Sequence, residues 1–546
     1  MPVKTTARPA RPRRRRLWGW GHEDDARSNE DLATSAAGLR AYLGFERADP
    51  ELPPEPDLTA LAPPRVRVPP ALEKIASSDP RERALHAYGR SYRDTIRAFR
   101  GRFDHPPDIV AFPRDEKDLG AVIEWCAQVG AAAIPFGGGT SVVGGVEPAV
   151  ADRYSGTVSI DLRLLDRVLE VDSISLAARI QAGATGPALE DQLRGHGLTL
   201  RHFPQSFEFS TLGGWIVTRA GGHFATGPTH IDDLIESIRA LTPSGLWESG
   251  RLPRSGAGPS PDRLLLGSEG ILGVVTEAWV RVRPRPEFRA SAQVRFRSFG
   301  EGAEAVRALA QSGLEPSNCR LLDAEEAAIT GVDSAGQAAL LLGFESADHP
   351  LEAWMARAVE VCEDFGGRLA DAPRLRGPEV STDGPAAGGD GAWRSAFLRA
   401  PYLRDNLVVA GVVSETFETA VTWDRFDSFV RSVRERVEAT LLETSGGGRL
   451  TCRLTHAYPD GAAPYFTVLA SARRGSELEQ WDAIKVAASE EIMAAGGTIT
   501  HHHAVGRDHR PWYDRQRPEP YAAAMRAAKR ELDPSGILNP GVLVQP

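Results

Sequence analysis

The sequence predicts an α+β protein in which an N-terminal helical segment leads into two mixed parts. Three observations carry that reading. A chain of 546 residues is too long for one hydrophobic core, since single cores stop growing at about 250–300 residues. From residue 105 onward, strand-like and helix-like stretches alternate. The run GVVTEAWVRVRP (273–284) then alternates apolar with polar side chains, and Pro284 and Pro286 mark a domain edge.

Taken in order, residues 1–16 form a basic tail. Its stretch ARPARPRRRR (7–16) is interrupted by proline, cannot bury a core, and is expected to be a solvated, disordered arm, the alternative being a weak electrostatic contact with anionic lipid. Residues 17–104 are helical with proline-rich breaks, notably 48–70. PDIVAFP (107–113) is a short strand. Asp115 is placed to cap the next helix, on which Leu119, Val122, Ile123 and Cys126 share one face. AAAIPF (131–136) is a second strand that runs straight into glycines. In 273–284, Val274, Thr276, Ala278, Val280 and Val282 point one way, while Glu277, Trp279, Arg281 and Arg283 point the other. Strands and helices continue from 288 to about 500, broken by a loop at 374–392 whose composition is flexible. A last helix spans about 519–532. The expected division is 17–104, 105–286, a second domain at 287–505, and a C-terminal segment, 506–546, that returns to the first.

Composition narrows the function classes. A net charge of −9 argues against broad nucleic-acid binding. No apolar run approaches the ~18 residues that span a bilayer, and no signal-peptide core follows the basic start. Cys126, Cys319, Cys362 and Cys452 lie far apart without CxxC spacing, which suits reduced thiols in a cytosol-like compartment. The final VLVQP carries no peroxisomal address, so the expected location is cytoplasmic.

Four glycine-rich stretches point to a ligand: PFGGGTSVVGG (135–145), SFEFSTLGGW (206–215), TRAGG (218–222) and GSEGILGVV (267–275). Glycine lets the backbone approach a ligand, and bare N–H groups receive phosphate oxygens. A structural turn explains any one of them; four across about 140 residues suggest a long phosphorylated cofactor. None is a G-K-[ST] loop or GxGxxG, which disfavours the dinucleotide-binding fold with its crossover helix.

THHHAVG (500–506) raises a separate question. In an extended strand His501 and His503 share a face and His502 does not. Three zinc ligands on consecutive residues are awkward, and no HExxH or CxxC stands nearby, so no metal is expected.

PFGGGTS (135–141), GSEGILGVVTE (267–277) and DPSGILNPG (533–541) resemble the vanillyl-alcohol-oxidase and p-cresol-methylhydroxylase (PCMH) superfamily. That resemblance implies a two-subdomain PCMH-type FAD-binding domain at 105–286, followed by an α+β cap with an antiparallel sheet that supplies the substrate site. It implies FAD held by Pro135, Phe136, Gly137, Gly138, Gly139, Thr140 and Ser141, with the pyrophosphate on this loop. Further FAD contacts are implied at Gln205, Ser206, Phe207, Glu208, Phe209, Ser210 and Thr211, and at Thr218, Arg219, Ala220 and Gly221. A last group is Gly267, Ser268, Glu269, Gly270, Ile271, Leu272, Gly273, Val274 and Val275. With no histidine in the first loop, the FAD is expected to be non-covalent.

From residue 17 onward, LWGWGHED, SFEFSTLGGW, CRLLD, PYLRD, SETFETAVTWDR, TCRLTHAYPDGAAPYF and GGTITHHHAVG occur in an order that resembles the alkyldihydroxyacetonephosphate synthase family. The resemblance implies an FAD-dependent transferase without net redox change. It exchanges the acyl chain of acyl-dihydroxyacetone phosphate for a long-chain alcohol through a flavin–substrate adduct, in ether-lipid synthesis. It places the proton donor/acceptor on Tyr465, makes His501, His502 and His503 essential, and puts substrate on Arg404 and Arg320. A homodimer and peripheral contact with a membrane are implied as well. The residue types suit that chemistry: Tyr and His move protons, and Arg grips a phosphate or carboxylate. Each also has a plain structural alternative, namely strand packing for Tyr465, a surface charge for Arg404 and an ion pair for Arg320. The histidine run is expected to be a catalytic strand end, with His501 and His503 toward the flavin. Departures from the family pattern fall at Gln205, where an acidic residue is usual, at GGHFATGPTHID (221–232), at AYPDGAAP before Tyr465 and at Arg507. The rival reading is an FAD-linked oxidase or dehydrogenase of a 2-hydroxy acid, with Arg404 on the carboxylate and His503 as base. The third is a flavin-bound structural or lipid-binding protein.

Overall fold

A computed structural model describes residues 13–378 and 400–544. The first twelve residues of the basic tail and most of the loop 374–392 therefore lie outside the described residues. Arg15 and Arg16, expected in a solvated arm, are held by the protein. The Arg15 guanidinium lies 3.8 Å from the centre of the Phe209 ring, and Arg16 pairs with Asp405 at 2.7 Å. An aromatic face and a buried carboxylate supply the partners that composition alone could not show.

The N-terminal region carries helices at Asn29–Leu43, Pro80–Leu85 and Tyr92–Phe99. Ser28 caps the first through the Asp31 N–H, and Gly44 ends it at φ 72°. The proline-rich stretch between contributes only short 3-10 turns, as the fixed φ of proline dictates.

Ile109–Ala111, Thr157–Asp161 and Ala132–Phe136 form parallel neighbours in a four-stranded sheet. The helix Glu116–Val129 starts on Asp115, which accepts from the Asp118 N–H, and buries Leu119, Val122, Ile123 and Cys126 against this sheet. A second, five-stranded antiparallel sheet has Val274–Arg281 at its centre, between Ala177–Gln181 and Ile235–Thr242. Val274, Thr276, Ala278 and Val280 are buried on one face, as their alternation predicts. One hydrophobic core joins both sheets and takes in Ile537, Leu538 and Val542 from the C-terminal segment. Ala133 exchanges backbone hydrogen bonds with Ile537 and Asn539, so the end of the chain is stitched to the strand that feeds the first glycine loop.

A larger antiparallel sheet follows. Phe288–Phe296, Ala338–Ser346, Asn318–Leu322, Gly448–Ala457, Gly461–Ser471 and Val412–Glu418 lie side by side in that order. The helices Phe299–Gln311, Glu352–Asp364, Phe426–Ser445 and Glu477–Ala494 pack on one of its faces. The period of two divides labour along each strand. Phe466, Val468 and Ala470 enter the helix-side core, and Phe466 alone contributes roughly 1.5–3 kcal/mol by burial. Tyr465, Thr467 and Leu469 line a cavity on the other face. A register shift between Leu454 and His456 breaks the alternation, so Thr455 and His456 both line the cavity; re-aiming a side chain is what a bulge does.

Candidate active site

The cavity between the glycine loops and the large sheet has a volume of about 650 Å³, within the range of small-molecule and cofactor sites. Pro135 to Ser141 all line it. Among the described residues, no N–H group from Gly137 to Ser141 donates to another residue. A Cβ on Gly137 or Gly138 would overlap Thr211 or the Phe209 carbonyl, so the loop presents bare backbone. Five consecutive N–H groups without a protein acceptor, on residues that line the cavity, suit a cradle for phosphate oxygens, and FAD fits it.

Gln205, Ser206, Ser210 and Thr211 also line the cavity, as do Thr218, Ala220 and Gly221, and then Glu269, Gly270, Gly273, Val274 and Val275. The other residues expected there face elsewhere. Glu208 accepts hydrogen bonds from the Trp20 indole (3.3 Å) and Tyr402 hydroxyl (2.7 Å), and Phe209 packs under Trp20 and Arg15. Phe207 stacks against Trp215, and Arg219 turns out to solvent to pair with Asp232 at 2.8 Å. Gly267, Ser268, Ile271 and Leu272 lie behind the loop, where Ile271 and Leu272 join the core. A loop of consecutive residues cannot point every side chain at one ligand. Glu269 also fastens two segments together. Its carboxylate accepts the Val505 and Gly506 N–H groups at 2.9 Å each, tying the fourth glycine-rich stretch to the segment after the histidines. Burial pushes its pKa up to about 7.

Residues 500–503 are not a strand but a bend around one carboxylate. Glu418, fully buried at the end of Val412–Glu418, accepts the N–H groups of His501 (2.7 Å), His502 (3.1 Å) and His503 (2.9 Å) and the Thr500 hydroxyl (2.6 Å). The expected two-sided alternation is therefore absent. His502 and His503 line the cavity, whereas His501 turns away toward the Tyr458 hydroxyl, 2.8 Å distant. Burial lowers the pKa of His502 to about 3 and of His503 to about 4, despite Glu418 beside them, so both rings are neutral. Burial works against the ionised form of Glu418, but the Thr500 hydroxyl and the three backbone N–H groups donate to its carboxylate, and its pKa lies well below the usual range. Tyr465 is paired with Glu418 across the strands. Its ring centre stands 5.6 Å from that of His503, with the Arg453 guanidinium 3.8 Å from the tyrosine ring centre.

Arg320 and Arg404 both line the cavity. Arg320 donates to the His223 carbonyl at 2.8 Å and Asn318 Oδ1 at 3.1 Å; Arg404, on the helix at 400–409, donates to the Arg90 carbonyl at 2.6 Å. The divergent loop 221–232 abuts the site, with His230 on the His501 carbonyl and His456 on that of Gly222. Nitrogens of His456, His501 and His502 lie within 4.8 Å of one another, a spacing that could hold a metal ion, where the sequence pattern suggested none. In this structure those rings are engaged by Gly222, Tyr458 and each other.

The FAD binding domain family matches residues 107–249, and the C-terminal domain of FAD linked oxidases matches 285–543. Alkyldihydroxyacetonephosphate synthase of Caenorhabditis elegans is 33% identical over 478 residues, 84% of this chain and 80% of that protein. The chain belongs to the alkyldihydroxyacetonephosphate synthase family. It is an FAD-dependent enzyme of that family. The synthase of Dictyostelium discoideum is 30% identical over 85% of this chain and 77% of its own length, while glycolate oxidase subunit GlcD of Bacillus subtilis is 24% identical over 81% and 89%. A solved structure of alkyldihydroxyacetonephosphate synthase shares the fold with a TM-score of 0.77 at 24% identity, covering 98% of this chain and all of that one. p-Cresol methylhydroxylase with substrate bound gives 0.65 at 14% identity over 95% and 98%. No described helix of this synthase-family chain is long and apolar enough to cross a membrane.

Proposed function

We propose that this enzyme exchanges the acyl chain of acyl-dihydroxyacetone phosphate for a long-chain alcohol. One observation carries the reading. A single cavity takes in the phosphate cradle, the Tyr465–His503 pair and an apolar arm lined by Leu407, Ile329 and Leu43, with the exposed Tyr42 and Leu403 also in its wall. A lipid tail fits such an arm, and a small hydroxy acid has no use for it. Entry of the tail from a membrane surface past those two exposed side chains, and the homodimer implied by the family, belong to the same proposal.

The reaction removes a proton beside the ketone, breaks the C–O bond so that the carboxylate leaves with the electron pair, and forms a new C–O bond to the alcohol oxygen. The alcohol's proton is released, and the carbon regains one. FAD, when bound, supplies reversible electron acceptance at that carbon with no net oxidation. Neutral His503 is the base, Tyr465 relays the proton at its hydroxyl, and Arg404 and Arg320 hold the anionic end. His502 keeps the bend in register and crowds water from the site.

Anaerobic FAD-loaded protein given palmitoyl-dihydroxyacetone phosphate and hexadecanol should release fatty acid and form the ether product without accumulating reduced flavin. Full bleaching by D-lactate with no acid release would overturn the reading in favour of a 2-hydroxy-acid oxidase, which the match to FAD linked oxidases and the 24% identical glycolate oxidase subunit support. His503→Ala should retain flavin while turnover drops by roughly 10²–10⁴-fold; flavin loss instead would make the bend structural. Because His503 must be neutral and its pKa is lowered to about 4, kcat/KM should hold level down to about pH 5 and fall only below it.

A further inference from the structure

Some cationic side chains at and beside the cavity have carboxylates of their own. Arg453 pairs with Glu326 at 2.5 Å, and Arg16 with Asp405 at 2.7 Å. The guanidinium groups of Arg90 and Arg404, in the cavity wall, stand apart from these. Among the described residues, neither Arg90 nor Arg404 pairs with a carboxylate. Arg90 donates only to the carbonyls of Gly89 (3.0 Å) and Arg16 (3.4 Å), and its Nε is buried with no partner. Arg404 donates to the carbonyl of Arg90 itself. The carboxylates that act on Arg90 through space are already taken: Asp94 by Arg97 at 2.7 Å, and Asp405 by Arg16.

An uncompensated charge withdrawn from water is costly, and leaving it so is rational only where a ligand brings the opposite charge. Position says which ligand. The Arg90 N–H donates to the Ser141 carbonyl at 2.6 Å, which fastens it to the end of the phosphate cradle, and Gly89 packs so tightly on Ser141 that a Cβ there would overlap it. Arg404, bonded to the Arg90 carbonyl, lines the same cavity as His503. The pair therefore spans from the cradle toward the reacting residues.

We propose that Arg90 and Arg404 together form a phosphoryl-binding subsite, two planar guanidinium forks that receive the oxygens of a phosphate group. A guanidinium matches such oxygens in two parallel hydrogen bonds, which an ammonium cannot do. Two sources share this chemistry: the phosphate monoester of the substrate, and the pyrophosphate of the cofactor. The first rests on the transferase reading given above; the subsite itself rests on charge and geometry.

The test uses FAD-loaded enzyme and Arg90→Gln, with Arg90→Lys as a second variant that keeps charge and loses the fork. Glycerol 3-phosphate is titrated in and followed by the flavin absorbance, FAD retention is measured on gel filtration, and KM and kcat are measured separately with palmitoyl-dihydroxyacetone phosphate. Loss of one charge-assisted fork should weaken glycerol 3-phosphate by about tenfold or more, with KM rising more than kcat falls and Arg90→Lys recovering only part. Unchanged glycerol 3-phosphate binding with FAD retention weakened to that degree would assign the fork to the pyrophosphate, and still to a phosphoryl group. Normal binding of both by Arg90→Gln would overturn the proposal. If the wild-type enzyme turns over no lipid substrate, the transferase reading fails, but the glycerol 3-phosphate titration still decides the subsite.

Discussion

Glu418→Ala is expected to abolish activity while leaving most of the flavin bound. Four donors converge on this carboxylate: three consecutive backbone N–H groups and the Thr500 hydroxyl. Consecutive residues rarely aim their N–H groups at one point, so the carboxylate is what holds the bend. Without it the N–H groups of His501 and His502 lose their acceptor, at about 1–3 kcal/mol each, that of His503 keeps only the Thr500 hydroxyl at 3.2 Å, and the bend relaxes. His502 and His503 then leave the positions they hold beside Tyr465. A displacement of about 1 Å at a reacting group can cost a hundredfold, so kcat should fall by at least about that factor. The flavin loops keep a separate tie to the following segment through Glu269, which is why FAD should remain. Urea unfolding, FAD content and kcat measured on the same sample check all three expectations. Glu418→Gln should be intermediate, since one amide oxygen still accepts but the amide NH₂ meets the remaining N–H donors. Near-normal kcat in the alanine variant would show that the bend holds itself.

Where structure follows from neighbours in the chain, the sequence was a good guide. Asp115 capped its helix, and Leu119, Val122, Ile123 and Cys126 shared the buried face, because both patterns act within a few residues. Val274 to Val280 alternated for the same reason. The glycine loops were visible as glycines because their backbone must lie bare. What sequence could not show is action across long separations. Glu418 stands more than eighty positions before the histidines it organises, inside a segment notable only as part of a family pattern. The two-sided reading of His501 and His503 assumed a strand, and the carboxylate turned that strand into a bend which sends His502, not His501, to the cavity. Glu208 and Phe209 follow the same logic: Trp20, Tyr402 and Arg15, brought in from distant parts of the chain, claimed them first. Arg90 carried no signal at all, being one arginine among many until the structure withheld its carboxylate.

Gly138→Ala should yield protein that folds but does not retain FAD. The new Cβ would overlap the Phe209 carbonyl oxygen, stand 2.6 Å from its carbon and 3.0 Å from the Ser210 Cα. All three are backbone atoms of the second glycine-rich stretch, so no rotamer change relieves the clash, and the two loops must part. Parting them moves the N–H groups of residues 137–141, which lose their common aim at one phosphate. A cradle of several such donors fails together, and FAD affinity should drop by at least about a hundredfold, equivalent to ~2.7 kcal/mol. The folding core lies behind this loop rather than in it, so far-ultraviolet circular dichroism should stay close to that of the wild-type apoprotein. Gly120→Ala is the matched control. Gly120 lies within Glu116–Val129 with open space where its Cβ would stand, and helix propensity predicts a gain of roughly 0.5–1 kcal/mol with flavin unaffected. A yellow Gly138→Ala protein with wild-type FAD affinity would place the pyrophosphate elsewhere in the cavity and remove the physical basis for reading loop 135–141 as its cradle.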